Sequence, residues 1–425
     1  MHPFAATFLA ALALHLAVQA WLAVRQIRHV SANRGAVPAA FGETVQLPDH
    51  SKAADYTVAK QRLGLVELVY DALVLLWLTL GGGIALVGRW TGSLGLADLW
   101  TGVLHVLAVF ALLSLLSLPL SLYRTFILEQ RFGFNRTTLA VFLADLMKGW
   151  ALGAVLGGAI LAVVLWVMES AGSGWWLIAW AVWLGFSLLI TWAWPRLIAP
   201  MFNKFSPLGD TALRERIDAL LERCGFHASG VFVMDGSRRS AHGNAYFTGL
   251  GREKRIVFFD TLLSTLTPVQ IESVLAHELG HFKLKHVPKR LIGGAALSLG
   301  GFALLGWLSR QDWFYSSLGA DSVSNSAALL LFVLVVPAFT WVLSPFLAAW
   351  SRRHEFEADA FAATHSSGPE LSRALVSMYK DNASTLTPDP IYSAFYDSHP
   401  PPAARIARLS QAGPPTSPTA APATA

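Results

Sequence analysis

The sequence predicts a mostly α-helical membrane protein, with seven transmembrane helices and a portion outside the lipid that contains a small β element. Three observations carry this reading. Hydrophobic residues fill 54% of the 425 positions and charged residues only 14%, against about a quarter charged in soluble chains. The mean hydropathy is +0.48, and the 16 tryptophans suit a side chain that favours membrane–water interfaces. Seven apolar stretches are also long enough to cross a hydrocarbon layer about 30 Å thick, which takes about 20 helical residues.

Those stretches lie at 3–24, 65–88, 102–123, 148–168, 175–195, 292–308 and 326–349, the sixth being the shortest. The first has no basic region ahead of it and reads as a retained span, with a signal peptide ending near AVQA as the alternative. Of the 32 Lys and Arg, only Arg89 and Arg310 fall in the loops of one side. The positive-inside rule then sets the N-terminus outside, and the C-terminus and the long loop 196–291 in the cytosol. The net charge of +5 follows from that topology. No basic–aromatic pattern or Gly-rich phosphate loop points to nucleic acid or nucleotides. The single cysteine, Cys224, rules out an intrachain disulfide framework and a cysteine-based zinc site.

The expected organisation is five spans with their loops (1–195), a catalytic loop domain (196–291), spans six and seven (292–349), a C-terminal catalytic segment (350–411) and a disordered Pro/Ala/Thr-rich tail (412–425). Within the loop, Leu213, Ile217, Leu220 and Leu221 recur at helical spacing. VFVMD (231–235) and RIVFFD (255–260), separated by GLGREK, read as a hairpin. Thr267 and Pro268 open a helix expected to run unbroken through PVQIESVLAHELGHFKLKH. At span ends, Asp145 and Lys148 read as an ion pair. Glu67 and Asp71 share a helix face, either lining an interior or sitting at the interface.

HELGH puts His277 and His281 one helical turn apart, so both imidazoles leave one face and can hold one zinc ion. Glu278, beside the first ligand, is placed to take a proton from water that zinc has acidified toward a pKa of about 7, and to pass it to a leaving amine. A catalytic zinc needs a third protein ligand. Glu355 in SRRHEFEADAFA is the best candidate, with Asp359 four residues on to accept the spare N–H of a ligand histidine. His354 is a rival ligand one residue off that face. Glu357 is expected to be solvated, and His286 to be structural.

Five blocks in order resemble the type I CAAX prenyl proteases, a family of seven-span zinc metallopeptidases: FGFNRTTLAVFLADLMKG, AHGNAYFTGLGREKRIVFFDTLL, VLAHELGHFKLKH, SRRHEFEADAFA and YSAFYDSHPPPAARIARL. The resemblance implies a single zinc held by His277, His281 and Glu355, with Glu278 as base and Asp359 behind a ligand. It also implies that His399, as a cation, and Arg405 face the scissile carbonyl, and that Asn244 binds substrate backbone. Seven helices around a chamber, with a cytosolic-side metallopeptidase domain, follow as the expected fold. Peptide or protein substrates, including prenylated ones, follow as the expected partners, alongside the lipid bilayer. This chain departs from the family pattern at Pro402, Ala403 and Ala404, and at His354. The Ala, Leu and Arg usage suggests a bacterium, hence a plasma-membrane enzyme with quality control of membrane proteins as a further role. Two alternatives remain: a heat-shock membrane protease of the HtpX type, which has fewer spans, and a transporter or channel with a structural metal site, which calls for charges in several spans and helices broken at mid-membrane.

Overall fold

The computed structural model describes residues 2–248 and 255–411. Its main helices, in chain order, are α1 (Pro3–Ala32), α2 (Leu47–Leu78), α3 (Gly83–Gly92), α4 (Asp98–Glu129), α5 (Leu139–Ser170), α6 (Gly172–Phe202), α7 (Thr211–Arg223), α8 (Pro268–Lys283), α9 (His286–Leu308), α10 (Asn325–His365), α11 (Gly368–Asp381), α12 (Pro390–Tyr396) and α13 (Pro402–Gln411). Among the described residues, α1, α4, α5, α6, α9 and α10 are each long and apolar enough to cross a membrane. The pair α2 and α3 makes a seventh span, bent by 52°. The bend needs Gly82, whose φ of 73° suits a residue without a Cβ. The expected span 65–88 is therefore broken rather than straight.

The helices outrun the apolar stretches that revealed them. Hydropathy marks only the length in contact with lipid, while the hydrogen-bonded backbone continues into water. The seventh stretch shows this best. It belongs to α10, a 41-residue helix that carries Glu355 and Asp359 on the same rod as the last span.

In the most apolar window of each long helix only 11–39% of residues are buried, as suits helices that turn apolar surface to lipid. One core, around Phe8, Leu78, Val109, Leu165, Leu305 and Leu331, joins the membrane helices. A separate core, around Ile217, Leu220, Phe258, Leu275, Leu279 and Ala362, joins α7, the sheet, α8 and α10. Glu67 and Asp71 border a cavity of about 370 Å³ between α1, α2 and α10, and Glu67 accepts from Arg124 Nη2 at 2.5 Å. Asp145 and Lys148 do not pair. Arg239, 94 residues away, takes Asp145 in a two-pronged contact at 2.8 and 3.0 Å, and Lys148 donates to the Met201 carbonyl at 2.8 Å. A planar guanidinium matches both carboxylate oxygens, which a lysine one turn away does not.

The sheet has four strands, β1 (Phe205–Pro207), β2 (Gly230–Met234), β3 (Ala245–Thr248) and β4 (Arg255–Phe259), in the order β1-β2-β4-β3. β2 and β4 are neighbours, but parallel, with Val231 opposite Ile256. The hairpin reading fails because β3 comes between them in the chain and pairs antiparallel with the far side of β4. GLGREK lies at 249–254, outside the described residues, as does the tail 412–425.

α8 begins with a capping box. Gln270 N–H donates to Thr267 Oγ1, and Thr267 N–H donates to Gln270 Oε1, satisfying two otherwise orphaned donors. It ends at Lys283, short of the expected unbroken run, because Lys285 adopts a left-handed conformation with φ 59°. α8 packs against α10 at Gly280, where a Cβ would sit 3.0 Å from Ala358 Cα and 3.2 Å from its carbonyl oxygen. A side chain there must push the helices apart. Gly280→Val is expected to destabilise the protein by about 1–3 kcal/mol through overpacking, lowering the midpoint of thermal unfolding in detergent. An unchanged midpoint would mean that the two helices do not depend on this contact.

Candidate metal centre

Helical spacing on α8 and the close approach of α10 bring three donors together. His277 Nε2 lies 3.3 Å from His281 Nε2, His281 Nε2 lies 3.3 Å from Glu355 Oε1, and His277 Nε2 lies 3.5 Å from Glu355 Oε2. Donors bonded at about 2.0–2.2 Å to one tetrahedral ion lie about 3.3 Å apart, so the triangle has the size a metal ion requires. Glu355 is 3% exposed, and its Oε2 has no hydrogen-bond donor. A buried carboxylate oxygen in that state is costly unless a cation compensates it. Burial works against charge on His277, yet the carboxylates of Asp359 and Glu355 beside its ring hold its pKa up at about 9. A metal ion entering this cage therefore displaces a proton.

The triangle opens on a cavity of about 550 Å³ whose wall includes Asn244, His277, Glu278, His399 and Arg405. Burial, first of all, pushes the Glu278 carboxyl above its ordinary value, against the pull of His277 and His281. His399 Nε2 is 3.4 Å from Glu355 Oε2, and its side chain is 63% exposed to the cleft. The surrounding protein, Arg405 and the two ligand-type imidazoles lower its pKa in spite of Glu355. Asn244 lies just before edge strand β3, its Oδ1 accepting from the Ala245 N–H at 2.8 Å and its carbonyl accepting from the Phe259 N–H at 2.9 Å.

Comparison with known proteins gives this geometry a family. Residues 26–204 match the family described as CAAX prenyl protease N-terminal, five membrane helices, and residues 207–412 match peptidase family M48. The CAAX prenyl protease 1 homolog of Arabidopsis thaliana is 37% identical over 344 residues, covering 79% of this chain and 80% of the relative. The chain belongs to the CAAX prenyl proteases of peptidase family M48. The Homo sapiens homolog is 30% identical and covers 92% of both chains. The crystal structure of S. mikatae Ste24p superposes with a TM-score of 0.90 at 29% identity, covering 96% of this chain and 99% of that one. The protein is accordingly an integral-membrane metalloendopeptidase.

Around the triangle of this CAAX prenyl protease, Asp359 Oδ1 lies 2.8 Å from His277 Nδ1. Asp359 is itself held by Arg405, whose Nε and Nη2 donate to its two oxygens at 2.8 and 2.5 Å. Arg405 is 4% exposed and stands one turn into α13, which Pro402 opens. The departure at 402–404 thus starts the helix that carries the arginine. Two corrections concern neighbouring residues. His354 lies outside the triangle, buried and stacked on His286 with ring centroids 4.0 Å apart. Glu357 is not simply solvated, since it accepts from His286 Nε2 and from Arg353 Nε, both at 3.0 Å. Reading the sequence missed that pairing because His286 reaches it only through the helix break at Lys285. Asp359→Asn should leave Arg405 without its carboxylate and weaken metal binding about 10–100-fold, measured by chelator competition on the purified protein. Unchanged affinity would remove Asp359 from the support of the centre.

Proposed function

We propose that this protein is a zinc endopeptidase that cleaves near the C-terminus of prenylated CAAX proteins at the cytosolic face of a bacterial plasma membrane. The observation that carries the proposal is the convergence of His277, His281 and Glu355 beside a cavity whose wall includes His277 and Glu278. Two imidazoles and one carboxylate are the donor set of catalytic zinc sites that keep a position for water or substrate. The bound ion supplies Lewis acidity, polarising the scissile carbonyl and acidifying water.

In this reading Glu278 accepts a proton from the attacking water, whose oxygen bonds to the carbonyl carbon. When the C–N bond breaks, Glu278 delivers that proton to the leaving amine. A pKa pushed up by burial makes the carboxylate a stronger base and, once protonated, keeps it a usable acid. His399 donates an N–H toward the developing oxyanion. Arg405 adds positive charge from behind Asp359, with Nη1 3.7 Å from Glu355 Oε2. Asn244 and the open edge of β3 offer main-chain and amide groups to an extended substrate. The prenyl substrate class rests on the names of the relatives, and the orientation rests on the skew of Lys and Arg among the loops.

Glu278→Gln should bind zinc at the wild-type level while cleavage of a farnesylated CAAX peptide falls about 10²–10⁴-fold. Retained activity would sink the role of Glu278. Equal wild-type cleavage of farnesylated and unprenylated peptides would overturn the prenyl assignment while leaving the hydrolytic one. Orientation has its own test. A reporter fused after Gln411 should signal cytosol, and a signal from the opposite side would reverse the topology.

A further inference from the structure

The two ligand-type histidines of α8 have different surroundings at Nδ1. His277 Nδ1 meets a carboxylate directly, in Asp359. His281 Nδ1 lies 2.9 Å from His286 Nδ1, and His286 Nε2 lies 3.0 Å from Glu357 Oε2. We propose that Glu357 and His286 are positioning residues for the metal centre, forming a carboxylate–imidazole–imidazole relay that aims His281 Nε2 at the ion. The proposal rests on the metal reading given above.

With a metal ion on His281 Nε2, the protons of the relay have one consistent arrangement. An ionised carboxylate only accepts, so His286 carries its proton on Nε2 and donates it to Glu357. The Nδ1 of neutral His286 is then an acceptor, and it takes the Nδ1–H of His281. That leaves the lone pair of His281 Nε2 facing His277 and Glu355. Arg353 Nε donates to the other oxygen of Glu357 at 3.0 Å, favouring the ionised form. The flat face of His354, 11° from parallel with His286, fixes the plane of the middle ring.

The backbone is built around this contact. In a continuous helix residue i+5 lies about 140° away around the axis, so His286 would face away from His281. The left-handed Lys285, a conformation that strains a non-glycine residue, ends α8 and turns His286 back. Burial of His286, 1% exposed, shields the relay from competing water.

His286, His354 and Glu357 also lie close enough to form a second metal site. Three features oppose that alternative. Both nitrogens of His286 are engaged, the stacked rings hold their lone pairs in separate parallel planes, and Arg353 already pairs with the carboxylate.

Glu357 is the residue to change, because its side chain is 34% exposed and a truncation there leaves the core intact. In detergent-purified full-length protein, zinc affinity would be measured by chelator competition for the wild type, Glu357→Ala and Glu357→Gln. Glu357→Ala should weaken zinc binding about 10–100-fold. Glu357→Gln should recover part of the loss, since its carboxamide oxygen still accepts the His286 proton. The absorption spectrum of the cobalt-loaded protein should shift in Glu357→Ala and return toward wild type in Glu357→Gln. Wild-type affinity and an unshifted cobalt spectrum in Glu357→Ala would overturn the relay. Failure of the wild type to bind one zinc per chain would instead overturn the metal reading on which it stands.

Discussion

Everything at the metal centre depends on how closely two helices meet at Gly280 and Ala358. The zinc-sized triangle spans α8 and α10, and no property of either helix alone sets the distance between His277 and Glu355. The missing Cβ at Gly280 lets the backbones approach until the carboxylate of one rod reaches the imidazoles of the other. Leu279 and Ala362, both fully buried, fill the space beside the contact, so the glycine removes bulk at one point without leaving a void. The middle positions of HELGH therefore carry as much structural information as its ends.

The lipid-spanning part was legible in the sequence for a simple reason. A membrane interior leaves backbone polar groups no partner but their own helix, so each crossing announces itself as a long apolar run. His277, His281, Glu355 and Asp359 were legible because helical spacing places each pair on one face, whatever the fold around them. Partnerships set by distant chain segments were not. The parallel pairing of β2 with β4 depends on where β3 inserts, and nothing local to either strand records it. Arg239 takes Asp145 from 94 residues away. Lys285 breaks the helix three residues ahead of Pro288, a stop signal that the unbroken helical reading passed over, so Glu357 gained a partner that helical periodicity could not supply.

The two halves of the protein use opposite strategies for polar groups. In the membrane part, Glu67 at a cavity border is compensated by the opposite charge of Arg124, which is more than half exposed. At the metal centre, Glu355, Asp359 and Arg405 are all nearly sealed from solvent. Buried charges of that kind are tolerated when each is paired, and here the pairing runs from Arg405 through Asp359 to His277. Removing any member exposes the rest to the cost of desolvation, which makes the cluster act as a unit.

The continuity of α10 has a mechanical consequence. The 41 residues of α10 include a 3-10 turn at Trp341–Leu343, and Glu355 stands about 27 Å along the axis from Pro337, near the middle of its apolar stretch. A tilt of about one degree around that midpoint moves the carboxylate by about half an ångström. Metal–ligand distances hold to about 0.2 Å. Transmembrane helices change tilt to match the thickness of the bilayer around them, so α10 is a lever linking lipid thickness to the coordination sphere. The close contact of α8 with α10 at Gly280 is the clamp that holds the lever still.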